Sequence, residues 1–461
     1  MMKIAVLNGS PKGELSVTMQ YVKCLQIMFK DVEFKIIEAA SKIKKLENDD
    51  KAFSSVIAEV ASAEAVIWGF PLYYLLVPSQ YKRFIELIFI NKNARAAFQG
   101  KPAAVLTTSI NFYDHTAHNY LNAICDDLGM KYIASYSAQM HDLLRSKERR
   151  RFRKFGEAFL QAICEKRPAL INNQPLVMPD VVYEPVTLTA VPAAGKKVLI
   201  IADDLSANAN LRVMVETLQK TFTPSAVVVQ LRDVDIKGGC LGCLQCGMDN
   251  ICVYEGKDGF IDFFRQKVMD ADILFFAGAI QDRYLSSLWK CFFDRSFFMG
   301  HTPALEGKQV GFVIAGPLKQ IANLRQIMEA YIESQRANLI GFVSDDGGSS
   351  AEISAGLQHL ALFAADFAAV DYIKPPTFLK VGGAKIFRDA IWSGLRMVFQ
   401  ADHKYYKKHG FYDFPQNEYK MQMVNMIVTP LTKIPFIRLE FVKRIKQEML
   451  KPFKSALAKV K

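Results

Sequence analysis

Long hydrophobic runs are missing from this sequence. Its most apolar stretch, Ala65–Pro78, is 14 residues long and is broken by Gly69, Pro71 and Pro78. A membrane-spanning helix needs about 20 apolar residues, so no transmembrane segment is expected. No apolar segment precedes a small-residue cleavage site near Met1 either, and a cytoplasmic location is expected. Cysteine is sparse: 8 in 461 residues, of which four crowd into Cys240–Cys252. Secreted disulfide scaffolds are short and cysteine-dense, whereas one tight group in a long chain indicates metal or redox chemistry in a reducing compartment. Acidic residues are scarce at one end only. Residues 374–461 hold 18 Lys/Arg against 6 Asp/Glu, while residues 1–373 hold 40 of each, so the net charge of +12 belongs to the tail. No nucleic-acid-binding motif accompanies that charge, and nucleic acid is not expected as a partner.

What is present is a globular composition, 51% hydrophobic and 23% charged, long enough for two to four domains. Short apolar runs alternate with longer amphipathic stretches, the pattern of an α/β protein with a parallel sheet. The pattern occurs twice. Lys3–Leu7 is echoed by Lys197–Ile201 at a shift of 194, and Ala63–Trp68 by Ala271–Phe276 at 208. At that second shift Lys82 meets Lys290 and Glu86 meets Asp294; Gly100-Lys101 meets Gly307-Lys308 at 207. Each copy offers about five strand–helix units, so two doubly wound, parallel, five-stranded sheets are expected. The shift grows by 14 residues, the length of Cys240–Val253, which marks the cysteine group as an insertion in the second copy. Pro175, Pro179, Pro185 and Pro192 define an extended linker, and Pro375-Pro376 opens the tail. The expected layout is a first domain at 1–171, a linker at 172–195, a second domain at 196–373, and a basic, mainly helical tail at 374–461.

In the first copy, strand one leads through Gly9-Ser10-Pro11-Lys12-Gly13 and Ser16-Val17-Thr18 into a helix. Such a loop aims backbone N–H groups and small hydroxyls at one point, as a phosphate monoester requires. An ordinary capped turn is the plain alternative. Strands three and four end in Gly69–Lys82 and Thr107–His115, loops at the carboxyl edge where open α/β sheets bind ligands. Their aromatic and small polar residues suit a flat heteroaromatic ring, although Tyr73, Tyr74 and Phe112 could equally pack against helices. His115 and His118 are read as helix-packing residues before proton carriers.

Gly9-Ser10-Pro11-Lys12 with Ser16 and Thr18, Pro71-Leu72-Tyr73 with Lys82, the Thr/Ser loop after strand four and Leu128-Gly129-Met130 together resemble the NADPH-dependent FMN reductase branch of the flavodoxin-like superfamily. The resemblance covers most of 1–165 and, less well, 196–370. It implies two tandem flavodoxin-like domains and an NAD(P)H-dependent FMN oxidoreductase. It also implies that FMN is held by Ser10, Lys12, Ser16 and Thr18 at its phosphate and by Pro71, Leu72, Tyr73, Thr108, Ser109 and Asn111 at its ring. Val17 stands where the family commonly has Asn.

The corresponding loop of the second copy, Ala202-Asp203-Asp204-Leu205-Ser206, has lost the glycine and gained two carboxylates. Negative charge at a helix N-terminal loop is wrong for phosphate, so FMN binding is expected to be weak or absent there. That copy carries Cys240, Cys243, Cys246 and Cys252 instead, able to wrap one tetrahedral or cubane centre. The spacing resembles the iron–sulfur flavoproteins, which implies a [4Fe–4S] cluster; zinc, or a cysteine run that binds nothing, are the alternatives. Related flavoproteins are dimers with flavin at the subunit boundary, so the two copies are expected to form an intramolecular pseudo-dimer, with a further homodimer possible. Electrons would pass from NAD(P)H through FMN to a small-molecule or protein acceptor. A non-catalytic flavodoxin-like carrier is the competing reading.

In the tail, Phe441, Ile445 and Met449 fall four apart, with Arg438, Lys443, Arg444 and Lys446 between them: a basic amphipathic helix. The expectation is a helix packed on the domains with its basic face solvated. Contact with a membrane surface or an acidic redox partner is the alternative.

Overall fold

The computed structural model describes residues 1–458, apart from the side chains at 347, 446–448, 452 and 454–456, so Lys446 and the last three tail residues lie outside the described set. Residues 1–403 form one compact unit and the chain from Lys404 onward a second.

In the first copy the elements are β1 (Met2–Asn8), α1 (Val17–Met28), β2 (Val32–Glu38), α2 (Asp50–Ala61), β3 (Ala65–Pro71), α3 (Ser79–Ile90), β4 (Pro102–Ser109), α4 (Asp114–Asp127), β5 (Lys131–Gln139) and α5 (Ser146–Cys164). The strands are parallel in the order β2-β1-β3-β4-β5. The second copy repeats this with β6 (Val198–Ala202), α6 (Ala209–Thr221), β7 (Val227–Gln230), β8 (Ile273–Gln281), α7 (Ser287–Arg295), β9 (Gln309–Ala315), α8 (Ala322–Ser334), β10 (Asn338–Ser344) and α9 (Ser350–Ala369). Its order, β7-β6-β8-β9-β10, is the same. Even a register slip is repeated: it falls between Ala103 and Ala104 in one sheet and between Val310 and Gly311 in the other. Central strands such as Ala65–Phe70 and Gln309–Ala315 are buried at every position, as expected of sheets covered on both faces.

The second sheet has a sixth member. β8 turns back through Asp282 and Arg283, both at positive φ (48° and 61°), into an antiparallel strand at Tyr284–Leu285. Two consecutive left-handed residues are the signature of a tight hairpin turn. The first copy makes the same turn at Tyr74 and Leu75 (φ 34° and 66°), closed by a single antiparallel bridge between Tyr73 and Leu76.

The two copies meet reciprocally through α3 and α7, where their inner core faces merge into one hydrophobic cluster while the outer core of each copy stays separate. The Ser79 amide donates to Asp294 Oδ2 at 2.8 Å, and the Ser287 amide, 208 residues later, donates to Glu86 Oε1 at 2.6 Å. Each carboxylate is also paired within its own helix, Glu86 with Lys82 at 3.0 Å and Asp294 with Lys290. Lys82 then reaches Asp282 across the boundary at 3.5 Å, while Lys290 donates to the Tyr73 carbonyl at 3.0 Å. This is an isologous interface written within one chain.

The linker crosses that boundary. Arg283 grips Asp127 through two hydrogen bonds of 2.6 Å and also donates to the Gln174 carbonyl at 2.5 Å. Farther on, buried Tyr183 bonds Ser354 Oγ at 2.9 Å, and the Thr189 amide donates to Gln358 at 2.7 Å, so the segment straps α9.

Beyond the second copy lie α10 (Phe378–Trp392), α11 (Tyr419–Leu431) and α12 (Pro435–Leu457). α10 buries Gly383, Arg388 and Ile391 against the body of the first unit, where Gly383 leaves room for the Phe112 ring. Within the second unit, α11 buries no residue, and the large apolar side chains described on α12, Leu439 and Phe453 among them, are exposed.

Candidate functional site

The first loop of copy one is folded on its own hydrogen bonds. The Gly13 amide closes on the Ser10 carbonyl at 3.1 Å, the Lys12 amide on Ser10 Oγ at 3.2 Å, and Ser16 caps α1 by accepting from the Met19 amide at 3.3 Å. The amides that open α1 have no partner inside the helix and face the loop. Ser10 and Ser16 are buried, and Lys12 is exposed. Thr18 is tied elsewhere: its hydroxyl meets that of Thr108 at 2.7 Å, with both side chains buried, which fastens the first loop to β4.

The remaining predicted residues gather at the same edge. Pro71 is in register with Thr108, and the Leu72 amide donates to the Thr108 carbonyl at 3.1 Å. Ser109 Oγ accepts from the amide of exposed Asn111 at 2.9 Å, which helps hold Asn111 at a φ of 60°. The structure therefore brings the loops after β1, β3 and β4 into contact. Two of the aromatics are drawn away from a ring site. Tyr74 packs edge-on against Phe297 and Tyr331 of copy two, and Phe112 packs on Phe387 of α10 with centroids 4.5 Å apart. His118 bonds Thr107 Oγ1 at 2.8 Å, and burial pushes its pKa down; His115 faces Gln326 of α8.

A carboxylate stands beside this loop that sequence reasoning passed over. Glu38, the last residue of β2, accepts from Asn8 Nδ2 at 2.8 Å and from Ser41 Oγ, and a side chain at Gly13 would come within 3.2 Å of it. Its position at the carboxyl end of the strand next to β1 is the signal that could have flagged it.

Over the loops of copy one lies the cysteine segment of copy two. Gln80 Nε2 donates to the Cys240 carbonyl at 3.0 Å. Gly242, at a φ of +63°, passes so close that any side chain there would collide with the Tyr73 hydroxyl and come within 3.0 Å of Lys12 Cε. Glycine is required at this point on both counts. Cys240, Cys243, Cys246 and Cys252 line one cavity together with Tyr254, Arg295, Phe297 and Phe298. Cys246 is buried, Cys240 and Cys252 are half-buried and Cys243 is exposed. Burial, with Cys252 and Cys243 nearby, pushes the Cys246 thiol up to about 12, and burial also raises Cys240, whose sulfur accepts from the Gly242 amide at 3.4 Å. Among the described residues, no three His, Cys, Asp or Glu side chains converge closely enough to hold a single metal ion.

Arg295, the last residue of α7, forms one wall of this cavity. It is buried and pairs with both oxygens of Asp258 at 2.8 and 2.9 Å; it also donates to the Gly238 carbonyl at 2.9 Å and stacks over Tyr254 at 4.1 Å. Its Nε–H is buried without a partner. Such a donor beside four thiols suits an anionic group. Nothing in its sequence context distinguishes it from a core-flanking arginine.

The first loop of copy two is already neutralised from within. Asp204 accepts from the Ser206 amide at 2.9 Å and from Arg232 Nη1 at 2.5 Å, and burial raises the pKa of Asp203. Asn210, on the first turn of α6, accepts from the Tyr183 amide of the linker at 3.0 Å.

No curated protein matches the chain. Among solved structures, it is similar to FerB, a flavoenzyme NAD(P)H:(acceptor) oxidoreductase from Paracoccus denitrificans, at 20% identity over 36% of this chain and 98% of that one, with a TM-score of 0.30. An NADH:FMN oxidoreductase in its apo form matches at 16% identity over 35% and 90% of the two chains (TM-score 0.31), and an FMN-dependent NADH-azoreductase from Bacillus anthracis at 16% over 36% and 99% (TM-score 0.26). Residues 2–142 and again 196–340 match the NADPH-dependent FMN reductase family, together more than half of the sequence. The chain belongs to that family, which it carries twice in tandem.

Proposed function

We propose that this NAD(P)H-dependent FMN oxidoreductase divides its cofactors between its copies, with FMN in the first and a [4Fe–4S] cluster on the cysteine segment of the second. The observation that carries this reading is the seat of that segment: Gly242 lies on Tyr73 and Lys12, and Cys240 is bonded to Gln80. Ser10, Ser16, Lys12 and the opening amides of α1 form a donor set with one positive charge that suits a phosphate monoester. Thr18 and Thr108 lock the floor between them, while Pro71, Leu72, Tyr73, Ser109 and Asn111 border the space for the ring.

Tyr73 acts here as a neutral hydroxyl. Burial, then Cys240 and Asp294, raises its pKa well above the ordinary tyrosine value, so it holds its proton and can donate it in a hydrogen bond. Cys240, Cys243, Cys246 and Cys252 suit a cluster better than zinc. A zinc ion needs four ligands at about 2.3 Å from one point, whereas these thiols surround a cavity whose wall carries the Arg295 guanidinium and its free donor. When bound, flavin accepts a hydride from a nicotinamide and an iron–sulfur centre takes electrons singly. The chain itself supplies positioning, charge and exclusion of water.

Anaerobic purification with flavin, iron and acid-labile sulfide quantitation tests the division. One FMN and four iron atoms per chain are expected. Two FMN per chain, or none, overturns the assignment of flavin to copy one, and an iron-free protein with its full flavin overturns the cluster.

A further inference from the structure

We infer that the second unit is a docking element for an anionic lipid surface, a property independent of the cofactor reading. From Lys404 to the end of the sequence there are 13 Lys/Arg and 4 Asp/Glu. Exposed Phe436 and Phe441 stand on other sides of α12, but the helix also carries one continuous apolar side. Leu439, Val442, Met449, Leu450, Phe453 and Leu457 follow one another at helical spacing along one side and are exposed by 56–68%. Arg444 and Lys451, seven residues apart, lie on the opposite side; Lys443 borders the apolar side, and Glu440 is held by Arg444 at 2.5 Å. α11 adds Met421, Met423, Met426 and Ile427, all exposed.

This is the build of a helix that lies in a bilayer interface, with apolar residues toward the acyl boundary and basic residues toward anionic headgroups. No described helix is long and apolar enough to cross a membrane, so the element would lie on the surface. The charge selects this occupant over the others. A second copy would bring the same excess of positive charge onto the first. A soluble acidic partner would use the basic side and leave the apolar side without a function, and so would nucleic acid. An anionic bilayer is the one occupant that engages both sides at once.

The test is flotation of the full-length protein with vesicles of phosphatidylglycerol and phosphatidylcholine, or of phosphatidylcholine alone. Flotation with the anionic vesicles is expected, weakening as salt is raised. Lys443→Glu with Arg444→Glu and Lys451→Glu should weaken it on the order of a hundredfold, at about fivefold for each basic residue removed from the surface. Leu439→Gln with Leu450→Gln and Phe453→Gln, which keep helix-forming residues, should abolish it while flavin reductase activity is retained. Failure of the wild-type protein to float with anionic vesicles overturns the proposal, as does flotation indifferent to both triple variants. Salt-sensitive binding to soluble polyglutamate that exceeds vesicle binding would reassign the surface to an acidic protein. A sedimentation dimer lost in the glutamine variant, without vesicle binding, would reassign it to a second copy.

Discussion

The loops after β1 and β6 occupy the same place in two copies of one fold, and they carry different charges. In copy one, Ser10 and Ser16 hold a glycine-bearing turn beside exposed Lys12. In copy two, Asp204 stands where Ser10 stands and is neutralised by Arg232, while the linker is bonded to Asn210 on the following helix. The backbone scaffold, down to the register slip in the fourth strand and the left-handed hairpin after the third, survives in both. Fold and ligand site are therefore separable here. The duplicated sheet is maintained by packing and by the reciprocal α3–α7 contact, while the side chains of a single loop set the charge presented at its carboxyl edge.

The largest expected effect breaks the comparison from the copy-two side. Cys246→Ser should remove all iron and leave flavin stoichiometry unchanged, as read by metal analysis and absorbance; loss of flavin together with iron would mean that the copies do not divide the cofactors. Next comes Ser10→Asp, which imports the copy-two carboxylate into copy one. Two like charges about 4 Å apart repel by about 4 kcal/mol at an effective dielectric constant of 20, so FMN affinity should fall at least a hundredfold in a fluorescence titration. Unchanged affinity would place the phosphate elsewhere.

Much of this was legible beforehand because it rests on periodic signals. The apolar strand runs, the 208-residue offset linking Lys82 with Lys290 and the carboxylates in the copy-two loop are all local in sequence, and the family match to residues 2–142 and 196–340 agrees with the repeat. What escaped depends on contacts between distant residues. Tyr74 and Phe112 look like ring-flanking aromatics, yet their partners Phe297 and Phe387 lie more than 200 residues away. Glu38 and Arg295 are ordinary residues until folding sets one beside a loop and the other beside four thiols. For α12, helical spacing reveals an apolar stripe but not what the stripe meets.

The α3–α7 contact sharpens the comparison through pH. Glu86 and Asp294 are equivalent by position, but their surroundings shift them in opposite directions. Burial raises Glu86, but Lys82 and Ser287 outweigh it and hold its pKa below the ordinary value of 4.5; burial dominates at Asp294 and raises its pKa above 3.8. A lowered carboxyl contributes stability that is present above its unfolded pKa and lost as pH falls through the folded one. A raised carboxyl contributes stability that is present below its unfolded pKa and lost as pH rises through the folded one. In thermal melts, the destabilisation by Glu86→Gln should therefore grow from acid pH to a plateau above about 4.5, whereas that by Asp294→Asn should shrink as pH rises. Removing one member of a buried pair costs about 3–5 kcal/mol, and Glu86→Gln should approach this at neutral pH. Parallel pH profiles for the two variants would show that the interface is electrostatically symmetric after all.

The smallest expected effect concerns Arg295, which lines the cysteine cavity of copy two. Lysine at this position keeps the positive charge but not the planar fork that engages both oxygens of Asp258 and carries the unpartnered Nε–H. Hydrogen bonds to cluster sulfurs are one of the means by which a protein sets a reduction potential. Donation to the more negative, reduced form stabilises it, so Arg295→Lys should lower the midpoint potential. One lost charge-assisted bond of about 1.5 kcal/mol corresponds to about 60 mV for a single electron. Spectroelectrochemical titration of the iron-loaded protein reads this directly, and the FMN midpoint in the same sample serves as the internal comparison. A shift confined to the cluster assigns the Nε–H to the cavity. An equal shift in both centres, or none in either, would leave Arg295 as a brace for Asp258 and the Gly238 turn.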